Sequence, residues 1–263
     1  PPYGRSAKAV PVPRSGPGAV RTAAAGQGAA SGQASSAPSE KEAATVVVTS
    51  APDGPYTRAA VVAQLLALLD ARGIDQAILI GNSAGGTLAL EVALAAPQRV
   101  RGLVLISPWV QVRRPVFPVW LAQSWPLQRL SLWGARWLGQ MPLLDASYAD
   151  PQRITLARRE AAQVHRGQRD WDLAWAAALR RSLSEPIGVA ARLSEITTPT
   201  LVISGAQDTI VPPAQSAAVA AELPRGRYLE LPGCGHVAQE ECPEQTATAI
   251  TDWLAAEHQL LYR

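Results

Sequence analysis

The chain has 263 residues, 48% of them hydrophobic, with 24 Lys and Arg against 21 Asp and Glu, a net charge of +3. That length suits one core with an insertion, and the arginines are scattered rather than gathered in a stripe, so a nucleic-acid partner is not expected. No apolar run approaches the roughly 18 residues of a membrane span, the N-terminus lacks the charged-then-apolar order of a signal peptide, and a soluble, cytoplasmic protein is the default expectation.

Residues 1–44 are rich in Ala, Gly, Pro, Ser and Arg and nearly devoid of aromatic and branched apolar residues. Such a stretch buries too little apolar surface to offset its ordering entropy, so it is expected to be disordered. It reads either as a flexible extension or as the product of a truncated or frame-shifted coding region. Thr45–Thr49 is a short β-branched run, strand-like, ahead of the turn Pro52-Asp53-Gly54-Pro55. Tyr56 to Arg72 reads as a helix with Val61, Leu65, Leu68 and Leu69 on one face and Gly73 as its stop.

Ala77-Ile78-Leu79-Ile80 then has the look of a buried strand, turns through Gly81-Asn82-Ser83-Ala84-Gly85-Gly86, and continues as an Ala/Leu-rich helix that stops at Pro97. A strand that becomes a helix within two or three residues needs small neighbours around the strained residue at its apex, and Gly81, Ala84 and Gly85 leave that room. This is the G-x-S-x-G nucleophile elbow in the strand–turn–helix context it requires. A serine in a tight turn accounts for a small residue there, but not for the glycines and the strand–helix context together.

From about Pro55 to the C-terminus the chain resembles the α/β-hydrolase superfamily, and Gly-Asn-Ser-Ala-Gly-Gly is similar to the wording of its cap-bearing esterases and carbon–carbon bond hydrolases. The resemblance implies a mostly parallel sheet flanked by helices, with a core of residues 45–107 and 196–263 and a helical cap over 108–195. It also implies that the first strands, and a His-Gly loop giving half of an oxyanion hole, should precede Thr45. No histidine occurs before His165. The expectation is therefore a sheet that ends early, with an open strand edge prone to aggregation, and a second oxyanion donor that is missing.

Val100–Ile106 is the next strand, nearly continuous in apolar residues as a strand covered on both faces should be. Strand, helix, strand argues for a parallel sheet with right-handed crossovers. Between residues 108 and 195 lie seven of the eight tryptophans: Trp109, Trp120, Trp125, Trp133, Trp137, Trp171 and Trp175. They either pack the cap on the core or line an apolar acyl or aromatic pocket. Asp150-Pro151 starts a helix and Trp171–Leu183 forms another; contact of Val116–Leu144 with a membrane surface, through its apolar residues and Arg129 and Arg136, is not expected. The core resumes with a strand at Thr200–Ser204, a helix at Pro213–Leu223, a last strand at Arg227–Leu231, and a terminal helix at Pro243–Glu257. No internal repeat is visible. Cys234 and Cys242 are too few for a disulfide framework, and free buried thiols are expected although a bridge is possible.

A serine hydroxyl is a weak nucleophile, so it needs an adjacent base, and the base an orienting acid. Ser83 is the candidate nucleophile. Among the histidines, His258 sits in the terminal helix beside Glu257 and Gln259, and His165 lies between Val164 and Arg166. His236 follows the last strand in a Gly-x-Gly loop, from which an imidazole can reach the elbow. For the acid, Asp208 comes straight after a strand in the Gly-x-x-Asp pattern of the resembled family. Asp70, Asp75 and Asp252 read as surface residues and Asp150 as a helix cap. A capping role ahead of Pro212-Pro213 is the plainer reading of Asp208. In the resembled mechanism Ser83 attacks an acyl carbonyl, His236 takes its proton, Asp208 holds the ring, and the Ala84 N–H donates to the oxyanion. Two classes of function are carried forward. One is a serine hydrolase acting on an ester, or on a carbon–carbon bond next to a carbonyl, of a small apolar or aromatic substrate. The other is a degenerate, non-catalytic binding protein of the same fold. No dinucleotide fingerprint or metal-spaced ligand set is present, so no cofactor is expected; the oligomeric state is left open.

Overall fold

The structure, a computed structural model, describes residues 57–110, 141–164, 168 and 188–258. The expectations for residues 1–44, for the Thr45–Thr49 strand, for the Trp171–Leu183 helix and for six of the seven tryptophans lie outside the described residues, as does His165.

Among the described residues four strands, β1 (Ala77–Asn82), β2 (Val100–Ile106), β3 (Thr200–Gly205) and β4 (Gly226–Leu231), form a sheet in the order β1-β2-β3-β4. Every pairing is parallel, with Leu79 opposite Leu103, Val104 opposite Leu201 and Ile203 opposite Leu229. The helices are α1 (Arg58–Ala71), α2 (Ala84–Ala95), α3 (Met141–Ser147), α4 (Leu156–Gln163), α5 (Pro213–Glu222), α6 (Ala238–Glu241) and α7 (Pro243–Ala256). The long insertion between β2 and β3 carries α3, α4 and a 3-10 stretch over Gly188–Glu195.

The alternation of side chains along a strand divides the core into two layers. Leu103, Leu105 and Val202 face a cluster with Val62 of α1, Leu90 and Val92 of α2, Leu193 and Ile196 of the insertion, and Val219 of α5. Val104, Ile106, Leu201 and Ile203 face the other way, onto Ala238, Trp253, Ile250 and Leu254. The central strands β2 and β3 are thus covered on both faces, as their composition requires, whereas β1, expected to be a buried strand, is only half-buried and its Ile80 is 56% exposed. α1 starts one residue after Thr57, whose Oγ1 accepts the Ala60 N–H at 3.1 Å. Its buried face is Ala60, Val62 and Leu69, whereas Leu68 is 50% exposed. Of the predicted face, Leu69 is buried and Leu65 packs against the core, while Val61 is half-buried and Leu68 faces out, because apolar residues lie on every side of this helix and packing on α2 chooses among them.

The two cysteines depart from expectation. The loop after β4 folds back through α6, bringing the Cα atoms of Cys234 and Cys242 to 6.1 Å, and the two sulfurs are bonded. Spacing alone does not reveal a bridge, because the approach is made by the fold and not by the eight-residue separation.

Candidate functional site

Three loops at the C-terminal ends of β1, β3 and β4 meet at one place. At the first, Ser83 adopts φ 54°, ψ −120°, a conformation that side-chain-bearing residues rarely take. The elbow closes only because Gly81 and Gly86 lack side chains, whereas the space at Gly85, expected to be needed for the turn, is open. A Cβ on Gly81 would lie 2.4 Å from the Gly85 carbonyl oxygen, and one on Gly86 would lie 3.0 Å from Cβ of Pro108. The Ser83 N–H donates to the Ile106 carbonyl at 2.9 Å, and the Ser83 carbonyl accepts from Trp109 N–H at 3.1 Å, so the turn is braced against the end of β2. Ala84 is the first residue of α2, where helix geometry leaves an N–H without an intrahelical acceptor, and the residue is exposed.

Asp208 follows β3 and is 5% exposed. Its Oδ1 accepts from the N–H groups of Ile210 and Val211 at 2.9 and 2.8 Å, while its Oδ2 lies 2.9 Å from Nδ1 of His236. The turn-capping reading and the acid reading are therefore served by different oxygens of one carboxylate. Burial pushes the Asp208 carboxyl up, but the hydrogen bond and charge of His236, with help from Ser107 and the Val211 amide, outweigh it and hold the group below the usual carboxylate range. An ionised carboxylate only accepts, so the proton between the two residues sits on Nδ1, and in a neutral imidazole of that tautomer the lone pair is on Nε2.

The His236 loop is held against the Asp208 loop by backbone: Gln207 N–H donates to Cys234 O at 3.0 Å, and Ala206 N–H to Leu231 O at 2.9 Å. A Cβ on Gly205 would lie 2.2 Å from the Gly235 carbonyl oxygen, so only glycine permits that approach. His236 itself is buried, at 6% exposure.

Two further residues belong to the site and were not singled out by sequence. Asn82 donates from Nδ2 both to Ile106 O at 3.0 Å and to His236 O at 2.9 Å, tying the elbow to the histidine loop. Its position directly before Ser83 is the only hint the sequence gives. Ser107, at the end of β2, is fully buried with φ 47° and has no hydrogen bond of ordinary geometry on Oγ. It nonetheless lies near enough to Asp208 to favour the ionised carboxylate.

The remaining candidates stay apart. Asp70 pairs with Arg99 at 2.7 Å, Asp75, Asp252 and His258 are exposed, and Asp150 caps the 3-10 turn Pro151–Arg153 through the Gln152 N–H at 2.9 Å. Among the described residues no His, Cys, Asp and Glu cluster could hold a metal ion, and no helix is long and apolar enough to cross a membrane.

Comparison with known proteins bears on the whole arrangement. A relative from Klebsiella pneumoniae named for carbamate hydrolysis, RutD, is 29% identical over 213 residues, covering 76% of this chain and 74% of its own. The 2-hydroxymuconate semialdehyde hydrolase of Pseudomonas putida is 30% identical over 204 residues, covering 77% of this chain and 71% of its own. An esterase from Thermogutta terrifontis has a similar structure, with a TM-score of 0.63 at 24% identity, over 81% of this chain and 76% of that one. The family model described as alpha/beta hydrolase fold matches residues 30–243, beginning inside the stretch whose composition sets it apart. With that match and this parallel sheet, the chain belongs to the α/β-hydrolase fold family.

Proposed function

We propose that the protein is a serine hydrolase with Ser83 as nucleophile, His236 as general base and Asp208 as the acid that orients it. The observation that carries the reading is the buried 2.9 Å contact between Asp208 and Nδ1 of His236, in a loop that Asn82 ties to the elbow of Ser83. With Nδ1 protonated, Nε2 accepts the hydroxyl proton as Ser83 Oγ bonds to the substrate carbonyl carbon. The negative charge that develops on the carbonyl oxygen is met by the Ala84 N–H at the positive end of α2. When the tetrahedral species collapses, the imidazolium returns its proton to the leaving group. Water, deprotonated by the same nitrogen, then releases the acyl product and regenerates Ser83.

Both relatives above are named for hydrolysis, one of a carbamate and one of a 2-hydroxymuconate semialdehyde. Their names support hydrolysis of a small carbonyl substrate, and the reading here is cleavage at an ester, or at a carbon–carbon bond next to a carbonyl. The tryptophans of 108–195 favour an apolar or aromatic one. A fluorophosphonate probe tests the reading, because it labels an activated serine whatever the substrate. Labelling is expected in the wild type and in Ser182→Ala, and is lost in Ser83→Ala. Labelling unchanged in Ser83→Ala removes the assignment, and no labelling of the wild type returns the chain to the non-catalytic binding alternative.

A further inference from the structure

Glu241 is an acidic residue whose side chain is fully buried, yet the chemistry above does not use it. Among the described residues it accepts three hydrogen bonds, all from backbone N–H groups. Oε2 accepts from Gly235 at 2.7 Å and from Ala149 at 2.9 Å, and Oε1 accepts from Asp150 at 2.9 Å. One donor is the residue immediately before His236, and the other two lie in the turn after α3, within the insertion between β2 and β3. Arg153 Nη1 is 3.9 Å from Oε1 and offsets part of the buried charge while donating to Gly233 O at 3.2 Å.

The two peptide groups that flank the histidine, Cys234–Gly235 and His236–Val237, are thus fixed by three different partners. Gly235 N–H is held by Glu241, His236 C=O by the Asn82 side chain, and Val237 N–H by Ser147 O at 3.3 Å. There is no slack in the loop: a Cβ on Gly235 would lie 2.6 Å from Ala149 N and 2.7 Å from Ser147 O. Glu240, next door, spends its carboxylate differently, on Tyr148 Oη at 2.9 Å and on Arg158, and makes none of these backbone bonds.

We infer that Glu241 is a positioning residue: its carboxylate clamps the His236 loop to the 147–150 turn and thereby sets where the imidazole stands relative to Ser83. The inference rests on the Ser83–His236–Asp208 reading. Its chemical basis is that two carboxylate oxygens can accept all three N–H groups, whereas a carboxamide has one acceptor oxygen and turns an NH2 toward a donor. Glu241→Gln must leave at least one buried N–H without a partner, and the loop moves to relieve it.

The test compares wild type, Glu241→Gln, Glu241→Asp and Glu240→Gln, folding being checked by circular dichroism. For Glu241→Gln we expect kcat on an aryl ester, and the second-order rate of fluorophosphonate labelling, to fall about tenfold or more, with KM within about twofold, since a small misplacement of the base costs rate rather than binding. Glu241→Asp, which keeps both oxygens, should recover part of the loss, and Glu240→Gln should stay within about twofold of wild type. If Glu241→Gln does not fold, hydrogen exchange in the wild type decides: Gly235, Ala149 and Asp150 amides should be protected together. Wild-type kcat and labelling in folded Glu241→Gln, an equal loss in Glu240→Gln, a change in KM alone, or rapid exchange at Gly235 overturns the clamp. A wild type that is not labelled at Ser83 overturns the clamp and the triad together, so the two failures are told apart by the wild-type lane.

Discussion

The side-chain amide of Asn82 donates to the main-chain carbonyl of His236 at 2.9 Å, across 154 residues of sequence. The residue directly before the elbow serine therefore holds the loop that carries the histidine, and a second bond from the same amide, to Ile106 O, anchors it to β2. One side chain fixes the relative height of two of the three loops.

Removing it should loosen that joint without touching any reacting group. Asn82→Ala is expected to lower stability by about 1–3 kcal/mol, the usual cost of losing bonds to partly buried carbonyls, and to lower kcat by roughly tenfold. Urea unfolding and steady-state kinetics on one preparation check both. Wild-type kcat in a folded Asn82→Ala would show that the His236 loop is placed by other contacts.

Asp208 should leave a signature in pH. Its folded-state pKa is depressed, so its contribution to stability is present above the ordinary carboxylate pKa of about 4 and is lost as pH falls through that value toward the folded one. Asp208→Asn is expected to flatten the stability–pH curve in that acid window. It should also lower kcat by about 10³–10⁴, because a carboxamide does not impose the Nδ1–H tautomer. Thermal unfolding from pH 3 to 7 in both proteins is the measurement. A variant whose acid-limb slope equals that of the wild type would argue that the carboxylate is not stabilised as its contacts imply.

At Gly81 the prediction is steric. A Cβ there would stand 2.4 Å from the Gly85 oxygen and 2.7 Å from the Gly86 nitrogen, both backbone atoms with nowhere to go. Gly81→Ala should cost on the order of 1–3 kcal/mol by overpacking and abolish fluorophosphonate labelling, whereas Gly85→Ala, which meets nothing within 4 Å, should be tolerated by the fold. Equal labelling in wild type and Gly81→Ala would contradict the tightness of the turn.

The Cys234–Cys242 bond closes a short loop that contains both His236 and Glu241. Chain-entropy arguments give such a closure about 2.5 kcal/mol, so dithiothreitol, or Cys234→Ala with Cys242→Ala, should lower Tm by roughly 5–10 °C. Thiol titration of the denatured, unreduced protein should find no free thiol. Two free thiols would restore the expectation drawn from sequence.

Most of the frame was legible in the order of residues. Strands such as Val100–Ile106 are short continuous apolar runs bounded by polar turns, and Pro97, Gly73 and Pro243 mark helix ends by backbone geometry alone. The turn that carries Ser83 was legible because glycine at 81 is a local necessity, and the loops that carry Asp208 and His236 because each follows a strand end. What the sequence could not decide is set by contacts between distant segments. Which face of α1 is buried depends on α2, since an all-apolar helix has no preferred side. The bridge between Cys234 and Cys242 depends on how α6 turns back. Asn82 and Glu241 are ordinary polar residues until tertiary structure places His236 O and Gly235 N–H within their reach. Backbone chemistry is local and can be read one segment at a time, whereas a buried hydrogen bond needs two segments, and only the fold brings the second one.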